Sequence, residues 1–161
     1  MPINLNLEEA CELSSAHRVI PVIETLFSGS ETPLAIFEKL AAGKPGSFLL
    51  ESAEQGVWAR YSFIGVNNRG SLTKSSGASK WTSARGHSPF PAGHEGSLPA
   101  SALDAVSAIQ AAWSSEPIPG TPPLTSGLVG VMGWDLIREI ENLPAAPQAD
   151  FQSPLLALAM F

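Results

Sequence analysis

Ser47-Phe-Leu-Leu-Glu-Ser52 is followed, after Ala53-Glu-Gln-Gly56, by Val57-Trp-Ala-Arg-Tyr-Ser-Phe-Ile-Gly-Val66. The first run is short and apolar. In the second, alternation sets Trp58, Arg60, Ser62 and Ile64 on one face and the more apolar Val57, Ala59, Tyr61 and Phe63 on the other, as a half-buried strand requires. The pair predicts two antiparallel strands joined across a glycine turn. Downstream, Asn67-Asn-Arg-Gly70 leads into Ser71-Leu-Thr-Lys74, and Ser75-Ser-Gly-Ala78 leads into Ser79-Lys-Trp-Thr82, so turn residues punctuate a continuing meander.

Helical patterns flank these strands. Residues 31–43 place Thr32 as N-cap, Pro33 at the first helical position and Gly43 as the left-handed exit, with Leu34, Phe37, Leu40 and Ala41 on one face. Ser101 and Asp104 resemble a capping box with Asp in place of Glu, and Ala102, Val106, Ile109 and Trp113 follow at helical spacing. Between them, residues 83–98 read as a surface loop that tolerates variation, and Ser114 to Ser126 as an extended, proline-rich connector. Gly127-Leu-Val-Gly-Val-Met-Gly133 predicts a strand leading into a short helix, with Leu136, Ile137, Ile140 and Leu143 on its apolar face. The fold class expected is α+β, an antiparallel sheet with helices packed on one side. The apolar run Ser153-Pro-Leu-Leu-Ala-Leu-Ala-Met-Phe161 has no polar cap after it and reads as a strand cut in mid-flow.

Composition narrows the function classes. The 161 residues are 44% hydrophobic and 15% charged, which is a globular balance rather than that of a disordered chain. Fourteen glycines and fourteen prolines exceed average usage and favour many short elements. Nine basic residues, scattered singly, against fifteen acidic ones give a net charge of −6, so nucleic acid is not an expected partner. There is no apolar run of about 18 residues to span a membrane. A lone Cys11 and a start without the charged and apolar regions of a signal peptide favour the reducing cytoplasm.

Few residues suggest chemistry. His17, His87 and His94 lie far apart or in the loop, so no metal site is expected, and Cys11 has no motif around it. Gly127, Gly130 and Gly133 lack the spacing of a phosphate loop and are better explained by close strand packing. Glu8 with Glu9, and Glu139 with Glu141, read as solvated helix faces. No catalytic set is visible. The grouping at Leu49, Leu50, Glu51 and Ser52, with Arg60, Tyr61 and Ser62 on the returning strand, would suit a free amino acid: a carboxylate for the ammonium, a hydroxyl and apolar walls. The plain alternative is that Glu51 pairs with Arg60 and Ser52 caps a turn.

At these residues the chain resembles anthranilate synthase component I, the large subunit, in its N-terminal region. Ser47-Phe-Leu-Leu-Glu-Ser52 with Arg60-Tyr-Ser-Phe-Ile-Gly65 carries the likeness, together with Thr32-Pro33, Gly127-Leu-Val-Gly-Val-Met-Gly-Trp-Asp135, Glu141-Asn-Leu-Pro144 and Pro154-Leu-Leu-Ala-Leu158. It runs from about residue 17 to the end. Trp134 stands where the family commonly has Tyr, and Val131 where an aromatic is frequent.

The resemblance implies tryptophan biosynthesis: chorismate is converted to anthranilate and pyruvate, with Mg2+ and with ammonia from a glutamine amidotransferase, component II. It further implies that residues 1–161 are a regulatory region truncated before the catalytic chorismate-binding domain, part of the larger two-layer fold of chorismate-utilising enzymes. Chorismate and metal ligands would then lie outside the segment, which would be inactive alone. Feedback inhibition by L-tryptophan maps onto Ser52, with Glu51 and Leu50 as neighbours and Tyr61 as a lining residue. The alternatives are an aminodeoxychorismate synthase large-subunit fragment and a non-catalytic amino-acid-binding module.

Overall fold

The computed structural model describes residues 4–51, 61–145 and 153–161. In chain order the elements are α1 (Leu7–Leu13), α2 (Pro33–Ala41), β1 (Phe48–Leu50), β2 (Phe63–Gly65), β3 (Gly70–Lys74) and β4 (Lys80–Ser83). Then come α3 (Ala102–Trp113), β5 (Leu128–Met132), a 3-10 helix (Trp134–Glu139) and β6 (Leu156–Met160). The expected α+β class with antiparallel sheets and open edges is what the chain forms.

The two long helices start where their caps predict. Thr32 Oγ1 accepts from the Ala35 amide at 3.1 Å, and Ser101 Oγ accepts from the Asp104 amide at 3.3 Å. The exit of α2 begins one residue earlier than expected: Ala42 already takes a left-handed conformation, at φ 41°, before Gly43 at φ 72°. Helix α1 contains Glu8 and Glu9, which the sequence marks only as a solvated helix face. Its Asn6 side chain accepts from the Glu9 amide while Glu9 accepts from the Asn6 amide, a reciprocal capping box, so Glu9 is more than a solvated carboxylate.

The strands do not form one meander. β1 and β2 pair only with each other, while the second sheet has the order β4-β3-β6-β5, antiparallel throughout. The apolar run at 156–160 is thus the central strand, inserted between β3 and β5. A meander would have paired β2 with β3, but β6 offers a face that β3 can bury: Leu156, Leu158 and Met160 join Leu72 in the core.

One face of that sheet is covered by α3, through Ala102, Ala105 and Ile109, and by Leu136 of the 3-10 helix. Phe90 completes this core, which corrects the reading of 83–98 as a freely variable loop. Trp81 Nε1 donates to the His87 carbonyl and Trp113 Nε1 to the Pro89 carbonyl, each at 2.8 Å, pinning the loop on both sides. The helix expected after Gly133 is a tight 3-10 turn, because Leu136 is buried and Glu139 is held by α3 and β3, two anchors that leave little room for a free amphipathic helix. Gly130 follows the close-packing reading: a Cβ there would meet the Ala157 carbonyl oxygen at 2.1 Å.

Candidate functional site

The β1–β2 hairpin carries Leu49 and Leu50, with Glu51 directly after β1 and Tyr61 and Ser62 directly before β2. Its register sets Phe48 opposite Gly65, Leu49 opposite Ile64 and Leu50 opposite Phe63. Gly65 is obligatory there, since a Cβ would lie 2.1 Å from the Phe48 ring, which in turn meets Phe161 edge-on at 4.8 Å. Tyr61 stacks on Phe63 with centroids 5.9 Å apart. Leu50 and Tyr61 therefore come together on either side of Phe63, on one face of the hairpin.

That face is open: Leu50 is 46% and Tyr61 52% exposed. Glu51 follows β1 and is also exposed. Ser52 and Arg60 lie outside the described residues, and with them the choice between an amino-acid site and a plain Glu51–Arg60 pair. At its base the hairpin leans on the outer face of the four-stranded sheet, where Ser47, Ser71, Thr73, Ala157 and Ala159 enclose a groove of about 240 Å3. A cleft of about 790 Å3 elsewhere shares no residue with the hairpin strands.

A second polar cluster sits beneath α3, and the sequence reading had taken its key residue for a solvated carboxylate. Glu139 accepts from Ser101 Oγ at 2.9 Å, from the Ala102 amide at 2.8 Å and from the Leu103 amide at 3.3 Å, and its other oxygen receives Lys74 Nζ. It satisfies the first two amides of α3, whereas the box expected at Ser101 and Asp104 would have Asp104 accept from the Ser101 amide. Burial works to raise its pKa, but the hydrogen bonds from Lys74, Ser101, Leu103 and Ala102 outweigh it and hold the carboxyl at about 2, against an ordinary 4.5. A capping acid arriving from 36 to 38 residues downstream leaves no mark in local spacing. Glu139 ties β3, α3 and the 3-10 helix together and is a structural rather than a ligand-binding group.

Among the described residues, no three His, Cys, Asp or Glu side chains are placed to hold a metal ion, and no helix is long and apolar enough to cross a membrane. His17 Nδ1 lies 3.0 Å from the Glu116 carbonyl and His94 stacks on Phe90. Cys11 is exposed.

An open α+β unit with a small aromatic hairpin on the uncovered side of its main sheet defines the class: a folded region without a visible catalytic set among the described residues. No family model matches the chain. It is, however, 41% identical over 157 residues to anthranilate synthase component 1 of Arthrobacter globiformis, covering 97% of this chain and 28% of that protein. The corresponding protein of Mycolicibacterium smegmatis is 41% identical over 154 residues, and that of Acetivibrio thermocellus 32% over 149. The chain is homologous to the N-terminal region of anthranilate synthase component 1. It spans about 28% of the length of the curated relatives it matches.

Proposed function

We propose that this chain is the regulatory N-terminal region of an anthranilate synthase large subunit, acting in the cytoplasm in tryptophan biosynthesis. The complete enzyme would convert chorismate to anthranilate and pyruvate, taking ammonia from a glutamine amidotransferase, component II. The observation that carries this reading is the 41% identity with component 1 proteins over 97% of the chain. Chorismate and Mg2+ would be handled by the part of the protein beyond residue 161, and no step of that chemistry is assigned to residues named here. The described residues offer no fitting ligand set for Mg2+.

The role assigned to this region is to hold part of the L-tryptophan feedback site. Leu50 and Tyr61, half exposed beside Phe63, supply apolar surface for an indole; the Glu51 carboxylate faces an ammonium; the Ser52 hydroxyl contacts the amino-acid moiety. Inhibition requires tryptophan to bind the inactive arrangement more tightly than the active one, because equal affinity for both shifts nothing. The open hairpin face supports a pocket whose other wall comes from the rest of the enzyme. Residues 1–161 alone are then expected to bind tryptophan weakly, and calorimetry that found micromolar affinity would contradict this. The deciding experiment is Ser52→Phe in the complete enzyme: the bulk fills the pocket, and activity persists at tryptophan levels that inhibit the parent. Unchanged inhibition would place the effector site elsewhere.

A further inference from the structure

The cleft of about 790 Å3 on the α3 side of the main sheet is within the size range of small-molecule sites. Its floor is apolar, formed by Val106, Ile109, Leu158 and Met160, and its rim carries hydrogen-bonding groups from Gln110, Ser115, Thr125 and Ser126. Arg18 and Arg69 line it, and among the described residues no Asp or Glu does. That is unusual in a chain of net charge −6.

Arg69 is the informative residue. It is half-buried, its guanidinium carbon lies 4.9 Å over the Trp113 ring, and its Nε is shut off from solvent without a hydrogen-bond partner. Trp113 is itself fixed by its hydrogen bond to Pro89. The ion pairs among the described residues are Lys39–Glu31, Lys74–Glu139 and Arg138–Asp135, so Arg69 has no carboxylate there. A partly desolvated cation without an anion is unfavourable, and a guanidinium held over a ring still has a planar fork that matches a carboxylate.

We propose that this cleft binds a small carboxylate with a flat apolar body, its carboxylate on Arg69 and Arg18 and its ring on the floor between α3 and β6. The absence of acidic lining residues disfavours a zwitterionic amino acid, whose ammonium would find no counter-charge. The site is distinct from the hairpin face, so the two readings stand or fall separately.

Benzoate is the test probe, with benzamide as its neutral counterpart and the purified chain titrated by calorimetry. Saturable benzoate binding is expected, at least about tenfold tighter than benzamide, which is about 1.4 kcal/mol of carboxylate preference. Arg69→Met and Arg18→Met should each weaken benzoate about fivefold or more, with Arg69→Lys recovering part of the loss. If Arg69→Met fails to fold, Arg18→Met on the exposed rim decides. Equal affinity for benzoate and benzamide, no saturation by about 10 mM benzoate, or a benzoate affinity untouched by the arginine replacements would overturn the proposal.

Discussion

The four-stranded sheet and the β1–β2 hairpin are both rich in large apolar residues, yet they end in different environments. In the sheet, Leu72, Leu156 and Leu158 are enclosed by α3, Phe90 and Leu136. In the hairpin, Leu50 and Tyr61 remain half exposed, and in the adjoining helix α2 Leu34 and Leu40 are exposed as well. Apolar patterning alone therefore does not tell which side of this molecule carries its own cover. What separates the two is long-range supply: the sheet receives a helix, a loop aromatic and a capping acid from distant positions, whereas the described part of the hairpin receives Phe161 and the outer face of the sheet at its base.

Three substitutions would break or sharpen that contrast. The largest effect is expected for Leu72→Ala, at a fully enclosed position of a central strand: a loss of about 3 kcal/mol in urea unfolding, from lost transfer energy plus the cavity left behind. A loss under about 1 kcal/mol would mean the sheet is no better packed than the hairpin.

Glu139→Gln comes next. It keeps the shape but removes the charge that Lys74 and three α3 donors converge on, and about 2 kcal/mol should go. The acid limb of stability should change too. With its pKa depressed in the folded state, Glu139 contributes stability that is complete above about 4.5 and is lost as pH falls through about 2. Thermal unfolding between those values should flatten in Glu139→Gln relative to the parent; parallel profiles would show the cluster to be energetically idle.

Smallest is Leu50→Ala, expected to cost about 0.5 kcal/mol or less because the side chain is already half in water. Under the function proposed above, its effect should appear instead in tryptophan inhibition of the complete enzyme, as a rightward shift of the inhibition curve. A stability loss matching that of Leu72→Ala would show that the hairpin is a closed core in its own right.

Much of this architecture was legible in short windows of sequence. Thr32 with Pro33, Ser101 and the paired apolar runs around 48–50 and 63–65 act within a few residues of themselves, and the structure keeps each of them; of the three glycines read as close strand packing, Gly130 is the one a carbonyl crowds most closely, while a Cβ at Gly127 would meet nothing within 4 Å. Strand order was not legible. Alternation in 156–160 announces a strand and its buried face but is silent on whether β3 or another neighbour receives it. The same limit hid Glu139, whose partners Ser101 and Lys74 are far away in the chain, and Phe90, which looked like one residue of a polar loop. At the hairpin, residue types could suggest an amino-acid site, and the structure adds the shared face of Leu50, Phe63 and Tyr61.

The position of β6 also sets a schedule. Among the described residues β5 has β6 as its sole strand neighbour, and β3 waits for the same strand on one side, so neither is paired there until residues 156–160 have left the ribosome. Local helices and the β3–β4 hairpin can form early, but the main sheet closes only through contacts of high sequence separation, the slow kind in folding kinetics. A pause or a chaperone acting before residue 156 would catch a chain whose core lacks its middle strand, with the apolar surface of Leu72 and Ile109 exposed to passing proteins.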